Sequence, residues 1–116
     1  MPDDAKSLDE LDALIAAPHH HLLLLENDSV RVLDTRVPPG ETVPLHTHRW
    51  PSVLYILSWS DFVRRDARGA VIMDSRSNEK LLLGAALWSL PLYPHTLENV
   101  GAFDLRAISV ELKTHA

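Results

Sequence analysis

The chain has 116 residues, of which 46% are apolar and 23% are charged, and its formal net charge is −5. This length suits one compact domain and is too short for two, so we expect a single domain over residues 1–116. The negative charge disfavours nucleic acid and anionic membranes as partners. The absence of cysteine excludes disulfides, thiolate metal ligands and thiol nucleophiles.

The N-terminal segment is predicted to form the one helix of the chain. Ser7-Leu8-Asp9-Glu10 has the spacing of a capping box, and apolar residues then recur at helical intervals up to Pro18. This pattern predicts a short amphipathic helix over about residues 7–17. The segment is acidic where a signal peptide would be basic, and no apolar run is long enough to span a membrane, so we expect a cytoplasmic protein.

After Pro18 the sequence changes to short runs rich in Val, Ile and Leu, separated by Pro, Gly, Asn and Asp. Such runs are typical of many short strands, and Asp66–Gly69 has the composition of a hairpin turn. The pattern predicts an antiparallel sandwich or barrel over about residues 20–113. The predicted strands are His21–Glu26, Val30–Val37, Thr42–His48, Val53–Ser60, Asp61–Arg65, Ala70–Asp74, Ala86–Leu90, His95–Asn99 and Phe103–Lys113.

Three histidines form the candidate metal site. His46 and His48 are spaced i and i+2, which puts both side chains on the same face of a strand. His95 is far enough along the chain to arrive from a different strand. Three converging imidazoles suit iron, zinc, nickel, copper or manganese.

These residues resemble the motifs of the cupin superfamily. The first cupin motif is Gly, five residues, His, any residue and His, with Glu three or four residues later, and the second ends in His, three residues and Asn. Gly40, His46, His48, His95 and Asn99 match these positions. The resemblance implies an all-β cupin double-stranded β-helix, an antiparallel β-barrel or jelly roll of six or more strands that often forms a homodimer.

The chain departs from the family pattern at the expected glutamate. The family places this residue at position 52 or 53, where the chain has Ser52 and Val53, and neither can replace a carboxylate ligand. A dication held by neutral histidines keeps its full positive charge, so we expect a small anionic or enolisable carbonyl ligand.

The reaction stays open at this point. Three-His cupin sites resemble those of diketone-cleaving dioxygenases, which favours Fe(II), with Zn, Ni or Mn as alternatives. A non-redox isomerase or decarboxylase is the second interpretation. A non-catalytic module that binds or senses a small molecule is the third, because the sequence offers no candidate acid or base beyond the histidines.

Several further residues are candidates for the pocket or its frame. Trp50 follows the paired histidines and is expected to wall the pocket, whereas Tyr55 and Trp88 could serve the pocket or the core. Arg106 could meet a substrate carboxylate or extend to the surface. Gly40 and Asn99 are expected to be structural.

Two further candidates are expected to lie outside the site, namely the consecutive histidines at 19–21 and Glu98, which follows His95. His19, His20 and His21 follow the helix-breaking Pro18, and neighbours on a strand alternate faces. Glu98 is three residues from His95, which places it on the opposite face of a regular strand. We therefore expect the histidine run to be incidental and Glu98 to be exposed or hydrogen-bonded, and not to be a ligand.

Overall fold

The computed structural model describes residues 8–77 and 86–113. Within them the chain forms one short helix and nine strands, and this content confirms the all-β prediction. The elements are α1 (Ala13–Ala16), β1 (His21–Glu26), β2 (Val30–Val37), β3 (Thr42–His48), β4 (Ser52–Ser58), β5 (Phe62–Asp66), β6 (Val71–Asp74), β7 (Ala86–Ser89), β8 (Leu92–Asn99) and β9 (Leu105–Leu112).

The strands pair antiparallel in two sheets. One sheet has the order β1-β2-β9-β4-β7, and the other has the order β3-β8-β5-β6. Because neighbouring strands are often distant in sequence, the chain crosses repeatedly between the sheets and brings their inner faces together. This arrangement is the antiparallel double sheet that the sequence predicts.

The predicted bounds of β1, β2 and β3 agree with the structure, but β8 is longer than predicted. It begins at Leu92 rather than His95, because Pro94 does not break the strand. The register between β3 and β8 shifts between the pairs His46–His95 and His48–Leu92, so Pro94 lies at an irregularity where its missing N–H costs no ladder bond.

The predicted short N-terminal helix is present, but it spans only Ala13–Ala16 and not residues 7–17. It begins after Asp12, whose side-chain Oδ2 accepts a hydrogen bond from the Leu14 amide at 3.1 Å. In the turn before it, the Leu11 carbonyl accepts a hydrogen bond from the Thr47 amide of β3. The predicted capping box begins at Ser7, which lies outside the described residues.

A polar row crosses the interior of the larger sheet. Ser52 of β4 lies directly opposite Glu111 of β9, which lies directly opposite Arg31 of β2. All three residues are buried, and Glu111 is 0% exposed. The inner face of β9 thus carries Leu105 and, further along the strand, the buried carboxylate of Glu111.

The apolar core lies away from this row. Ala17, Val37 and Val43 are almost fully buried, and Leu97 and Leu105 pack against them. The described residues include no helix that is long and apolar enough to cross a membrane.

The two residues predicted to be structural hold the turns beside the core. Gly40 has φ +82°, a left-handed conformation that L side chains rarely adopt. Asn99 is buried, and its amide donates hydrogen bonds to the carbonyls of Val37 and Phe103 at 2.8 and 2.7 Å. Its Oδ1 accepts a hydrogen bond from Ser60.

Candidate metal centre

The three predicted histidines meet inside the barrel. His46 and His48 project from the same face of β3, with ring centroids 5.0 Å apart. His95 of β8 is the register partner of His46, and their ring centroids are 4.3 Å apart. The rings of His48 and His95 are 6.0 Å apart.

A fourth histidine joins them that sequence reasoning had set aside. The ring of His21 lies 5.0 Å from that of His46 and 5.2 Å from that of His48. One ring nitrogen from each of His21, His46 and His48 lies within 4.8 Å of the other two. The expectation that the run at 19–21 is incidental therefore does not hold for His21, which begins β1 and points inward.

Each of the four imidazoles is fixed through its Nδ1 atom. Nδ1 of His21 donates a hydrogen bond to the carbonyl of Ala17 at 2.9 Å. Nδ1 of His46 donates to the carbonyl of Pro44, and Nδ1 of His95 donates to that of Tyr93, each at 2.7 Å. His48 donates to the carboxylate of Glu111 at 2.8 Å. Since these oxygens can only accept, each neutral ring carries its lone pair on Nε2, the atom available to a metal.

The carbonyls that orient two of these rings come from irregular positions in the strands. His46 and His95 each bond the carbonyl two residues earlier in their own strand, Pro44 and Tyr93. Both sites flank the register shifts between β3 and β8. A regular ladder would use such carbonyls between strands, so the irregularity makes them available to the side chains.

A buried ionic network contacts His48 on the side of its Nδ1 atom. Arg31 bridges Glu111, through Nε at 2.6 Å, and Asp12, through two bonds of 2.9 Å. Glu111 lies directly opposite Ser52, one of the two positions where the family expects its glutamate. The carboxylate is thus present on the neighbouring strand, but it orients His48 instead of facing the ring nitrogens that remain free.

Burial keeps three of the clustered histidines, His21, His46 and His95, neutral. Burial, reinforced by the neighbouring histidines, lowers the pKa of His46 to about 2. Burial likewise lowers the pKa of His21 and of His95 to about 4. Burial alone raises the pKa of Glu111, but hydrogen bonds from His48 and Arg31 outweigh it and hold that pKa below its ordinary value. Neutral imidazoles are the form that binds metal.

The histidines open onto a cavity of about 330 Å³ between the two sheets. Much of its wall is apolar, including Val43, Ile56 and Leu97. Among the described residues that line it, none is acidic, and Arg64 supplies a cation.

Only one of the four predicted pocket residues lines the cavity. Trp88 does so and is 59% exposed, which places it at the rim. Tyr55 points outward because Ser52, Leu54 and Ile56 occupy the inner positions of β4.

The other two pocket candidates lie outside the cavity. Arg106 also points outward, where it pairs with Asp34 at 2.8 Å. Trp50 packs beside the cations Arg31, Arg49 and Lys113 instead of walling the pocket.

A second group of possible ligands lies at the surface. His19, His20 and Glu41 place one ligand atom each within 4.8 Å of the others. In this group His20 Nε2 already bonds Glu41 at 2.9 Å, and His19 is exposed. Glu98, also predicted to lie outside the site, pairs with Arg65 at 2.8 Å. The interior histidines are the stronger candidate site, since they share one cavity.

The architecture matches solved structures of cupins. A cupin domain from Bordetella pertussis superposes with a TM-score of 0.65 at 19% identity, covering 81% of this chain and 92% of that one. An uncharacterized double-stranded β-helix protein from Klebsiella pneumoniae gives 0.57 at 19% identity, covering 99% and 88%. An RmlC-like cupin family protein from Methanocaldococcus jannaschii gives 0.56 at 14% identity, covering 97% and 85%.

These similarities define the class of protein by its fold. No family model matches the sequence, and no curated protein matches it. The identities are below the level that would carry a shared activity, so the likeness concerns architecture. The chain has the cupin double-stranded β-helix fold, as its histidine motifs predict.

Proposed function

We propose that this protein is a metal-dependent cupin that binds one divalent ion through Nε2 of His21, His46, His48 and His95, and acts on a small anionic or enolisable carbonyl metabolite. The observation that carries this proposal is the common anchoring of the four rings. Each Nδ1 is held by an oxygen acceptor, which leaves the four Nε2 lone pairs free. The ligand atoms of His21, His46 and His48 lie within 4.8 Å of one another, and the ring of His95 lies 4.3 Å from that of His46. Rings that merely packed in a core would have no need of a shared orientation.

The donor set fits a transition metal. Four neutral imidazoles suit iron, nickel, copper, zinc or manganese, whereas calcium and magnesium prefer oxygen ligands. His21 takes the place in the ligand set that the family gives to a carboxylate. The carboxylate that is present, Glu111, supports His48 from behind, an arrangement that fixes a ring and raises its basicity.

Ferrous iron is the ion we favour. Zinc would be closed by four protein ligands in its usual tetrahedral geometry, which is the form of a structural site. A bound ferrous ion would supply two further coordination positions, one for substrate and one for dioxygen. The described lining contains no carboxylate that could move a proton, so an oxygen-dependent oxidation fits the site better than an isomerisation.

The same observation supports a second candidate function. A cavity without a free acid or base among its described residues also suits a module that binds a metabolite and does not transform it. Oxygen consumption separates the two functions, because a binding module leaves both dioxygen and ligand unchanged.

Metal content tests the proposal directly. Untagged protein would be reconstituted anaerobically with Fe(II), and separately with Zn(II), Ni(II) and Mn(II), and analysed by inductively coupled plasma mass spectrometry. We expect about one ion per chain in the wild type and a loss of at least about 10-fold in affinity in His21→Ala, His46→Ala, His48→Ala and His95→Ala. His19→Ala is the matched control because this histidine is exposed and belongs to the surface group.

The outcomes separate the possible ligand sets. If His21→Ala binds metal as well as His19→Ala does, His21 is a neighbour of the site and the predicted set of His46, His48 and His95 remains. If the wild type retains no metal after every reconstitution, the metal-dependent function is wrong. Consumption of dioxygen by the iron form with a carbonyl metabolite would support the dioxygenase activity.

We also propose that the chain forms a homodimer through β1. This strand is an edge of the larger sheet, and its residues Leu22–Leu25 are all more than 40% exposed. An open apolar edge readily pairs with a second copy of itself about a two-fold axis. Light scattering should report a dimer for the wild type and a monomer for Leu24→Lys, whereas a monomeric wild type would contradict the interface.

A further inference from the structure

Arg64 is the cation of the cavity wall. It lies on β5 opposite Leu97 of β8. Two residues further along β5, Asp66 lies opposite His95. Leu97, His95 and Arg64 all line the cavity, so Arg64 faces the same space as the histidines. Its charge also acts on His95, where it helps to hold the pKa of the imidazole down after burial.

The guanidinium of Arg64 has no anionic partner among residues 8–77 and 86–113. Its Nε atom is buried and makes no hydrogen bond, and its recorded contact is with the ring of Phe62, 5.6 Å from Cζ. Burial lowers the pKa of Arg64 below its ordinary value, which reflects the cost of holding an uncompensated charge. Arginine remains charged under these conditions, so loss of a proton does not remove this cost.

Carboxylates that neighbour Arg64 in the sequence, or that lie on the strands paired with β5, have other partners. Asp74 of β6 pairs with Arg76 at 2.8 Å. Glu98 pairs with Arg65 on the outer side of the sheet, and Asp66 accepts hydrogen bonds from the amides of its own turn. Asp61 accepts a hydrogen bond from Ser75. The sequence therefore offers carboxylates close to Arg64, and the fold assigns them to other donors.

A second polar group in the cavity is also without a partner. Ser109 of β9 lines the cavity from the opposite sheet, is 5% exposed, and has a buried Oγ without a hydrogen bond among the described residues. A buried hydroxyl usually finds a partner, since an unmade hydrogen bond is costly. Two unsatisfied groups, Arg64 and Ser109, thus face one cavity from its two sheets.

We infer that Arg64 binds the carboxylate of the substrate, with Ser109 contacting a second polar group of the same molecule, so that the substrate class is a small carboxylic acid carrying an oxo or hydroxyl group. This inference rests on the proposed function, because the oxo or hydroxyl group is the part that would face the metal. A single guanidinium matches a single carboxylate in charge and in its paired donors. A phosphate dianion would require more donors than the described, largely apolar, lining presents.

The test uses pyruvate and its neutral analogue pyruvamide, which differ in charge and hardly in shape. Binding of each to the Fe(II)-loaded protein would be measured by isothermal titration calorimetry under anaerobic conditions, where no oxidation can proceed. We expect the wild type to prefer pyruvate by at least about 10-fold, and Arg64→Met to lose that preference while keeping its metal content. Arg64→Lys should restore part of it, because the charge returns without the bidentate geometry.

Two matched variants control for indirect effects. Arg65→Met removes the neighbouring arginine that pairs outside the cavity and should leave the preference unchanged. Ser109→Ala should weaken both ligands by a similar factor, because its hydroxyl contacts the part that they share. Arg64→Gln repeats the charge removal with a polar side chain, in case the methionine variant does not fold.

The inference and the proposed function can fail separately. If the protein binds no metal, pyruvate titrated into the metal-free protein still reports whether an anion depends on Arg64. If wild type and Arg64→Met bind pyruvate equally, in the metal-loaded and in the metal-free protein, the inference is overturned. The proposed metal site is not affected by that result. A wild type that prefers pyruvamide, or binds neither probe, also overturns the inference.

Discussion

Arg31 and Arg64 are both interior arginines, and the fold treats them in opposite ways. Arg31 is 5% exposed and bonded to two carboxylates, Asp12 and Glu111. Arg64 lines the cavity without an anion among the described residues. The hydrogen bonds of Arg31 outweigh its burial and raise its pKa, whereas burial lowers the pKa of Arg64. A compensated cation belongs to the structure, and an uncompensated one is available to a ligand.

The largest effect is expected from removing the compensated arginine. Arg31→Met leaves Asp12 and Glu111 as buried carboxylates without their cation, so the free energy of unfolding should fall by about 3–5 kcal/mol. Urea denaturation of the metal-free protein measures this change. Arg36→Met is the control, since Arg36 is 58% exposed and its pair with Asp104 is 3.5 Å long; its effect should stay below about 1 kcal/mol. Similar effects for the two variants would remove the contrast with Arg64.

Acid should destabilise the histidine cluster next to Arg31. The folded-state pKa values of His21 and His95 are depressed to about 4 from an ordinary 6.5. The unfolded chain therefore binds protons first as the pH falls, and stability present above pH 6.5 is lost between pH 6.5 and about 4. The loss for the metal-free protein should be on the order of 3 kcal/mol for each of these two imidazoles, measured by urea denaturation across this range.

A pair of variants at neighbouring histidines sharpens this test. His21→Gln should flatten the dependence of stability on pH between 6.5 and 4, because it removes one buried imidazole that must charge. His19→Gln changes an exposed histidine of the same run and should leave the dependence unchanged. Identical slopes for the two variants would show that His21 does not titrate in the buried cluster.

Glu111 connects the Arg31 network to the metal site. Glu111→Gln keeps a hydrogen-bond acceptor for His48 and removes the charge that both His48 and Arg31 face. We expect metal affinity to fall by about 10- to 100-fold, the usual cost of losing such a supporting carboxylate. Competition with a chromogenic chelator measures it. Glu98→Gln, in an outward pair, should leave the affinity unchanged; a loss in this variant would point to a general effect of charge.

The smallest expected effect is a gain in stability. Arg64→Met replaces an uncompensated cation by an apolar side chain in an apolar wall, so the metal-free protein should gain about 1 kcal/mol of stability. Its thermal midpoint would be compared with that of Arg65→Met, which should lose stability slightly or not at all. Destabilisation by Arg64→Met would mean that this arginine supports the fold.

Much of the fold was predictable because strand runs and turns are local signals. The bounds of β1, β2 and β3 agree with the structure, and Gly40, which was expected to be structural, has a left-handed conformation. The helix was not predictable to the same degree. Its capping signal is local, but the turn before it is held by a hydrogen bond from Thr47, which is distant in sequence.

Part of the site was also predictable, since the i, i+2 spacing of His46 and His48 fixes a shared face on any strand. His21, Glu111 and Arg64 were missed for a common reason. His21 was assigned to an incidental histidine run, and no local motif indicates a site role for Glu111 or Arg64. Their roles depend on the order of the strands in the sheets, and local spacing in the sequence does not determine that order.

The sequence by itself determined the class of fold, the paired histidines and the loss of the family glutamate at Ser52 and Val53. Only the tertiary structure decided which of the buried charges have an oppositely charged partner. It set Glu111 opposite Ser52, gave Arg31 two carboxylates and left Arg64 facing the cavity without an anion among the described residues. Pairing between distant strands selects the neighbours of a buried charge, and those neighbours determine whether the charge stabilises the barrel or remains available to bind a ligand.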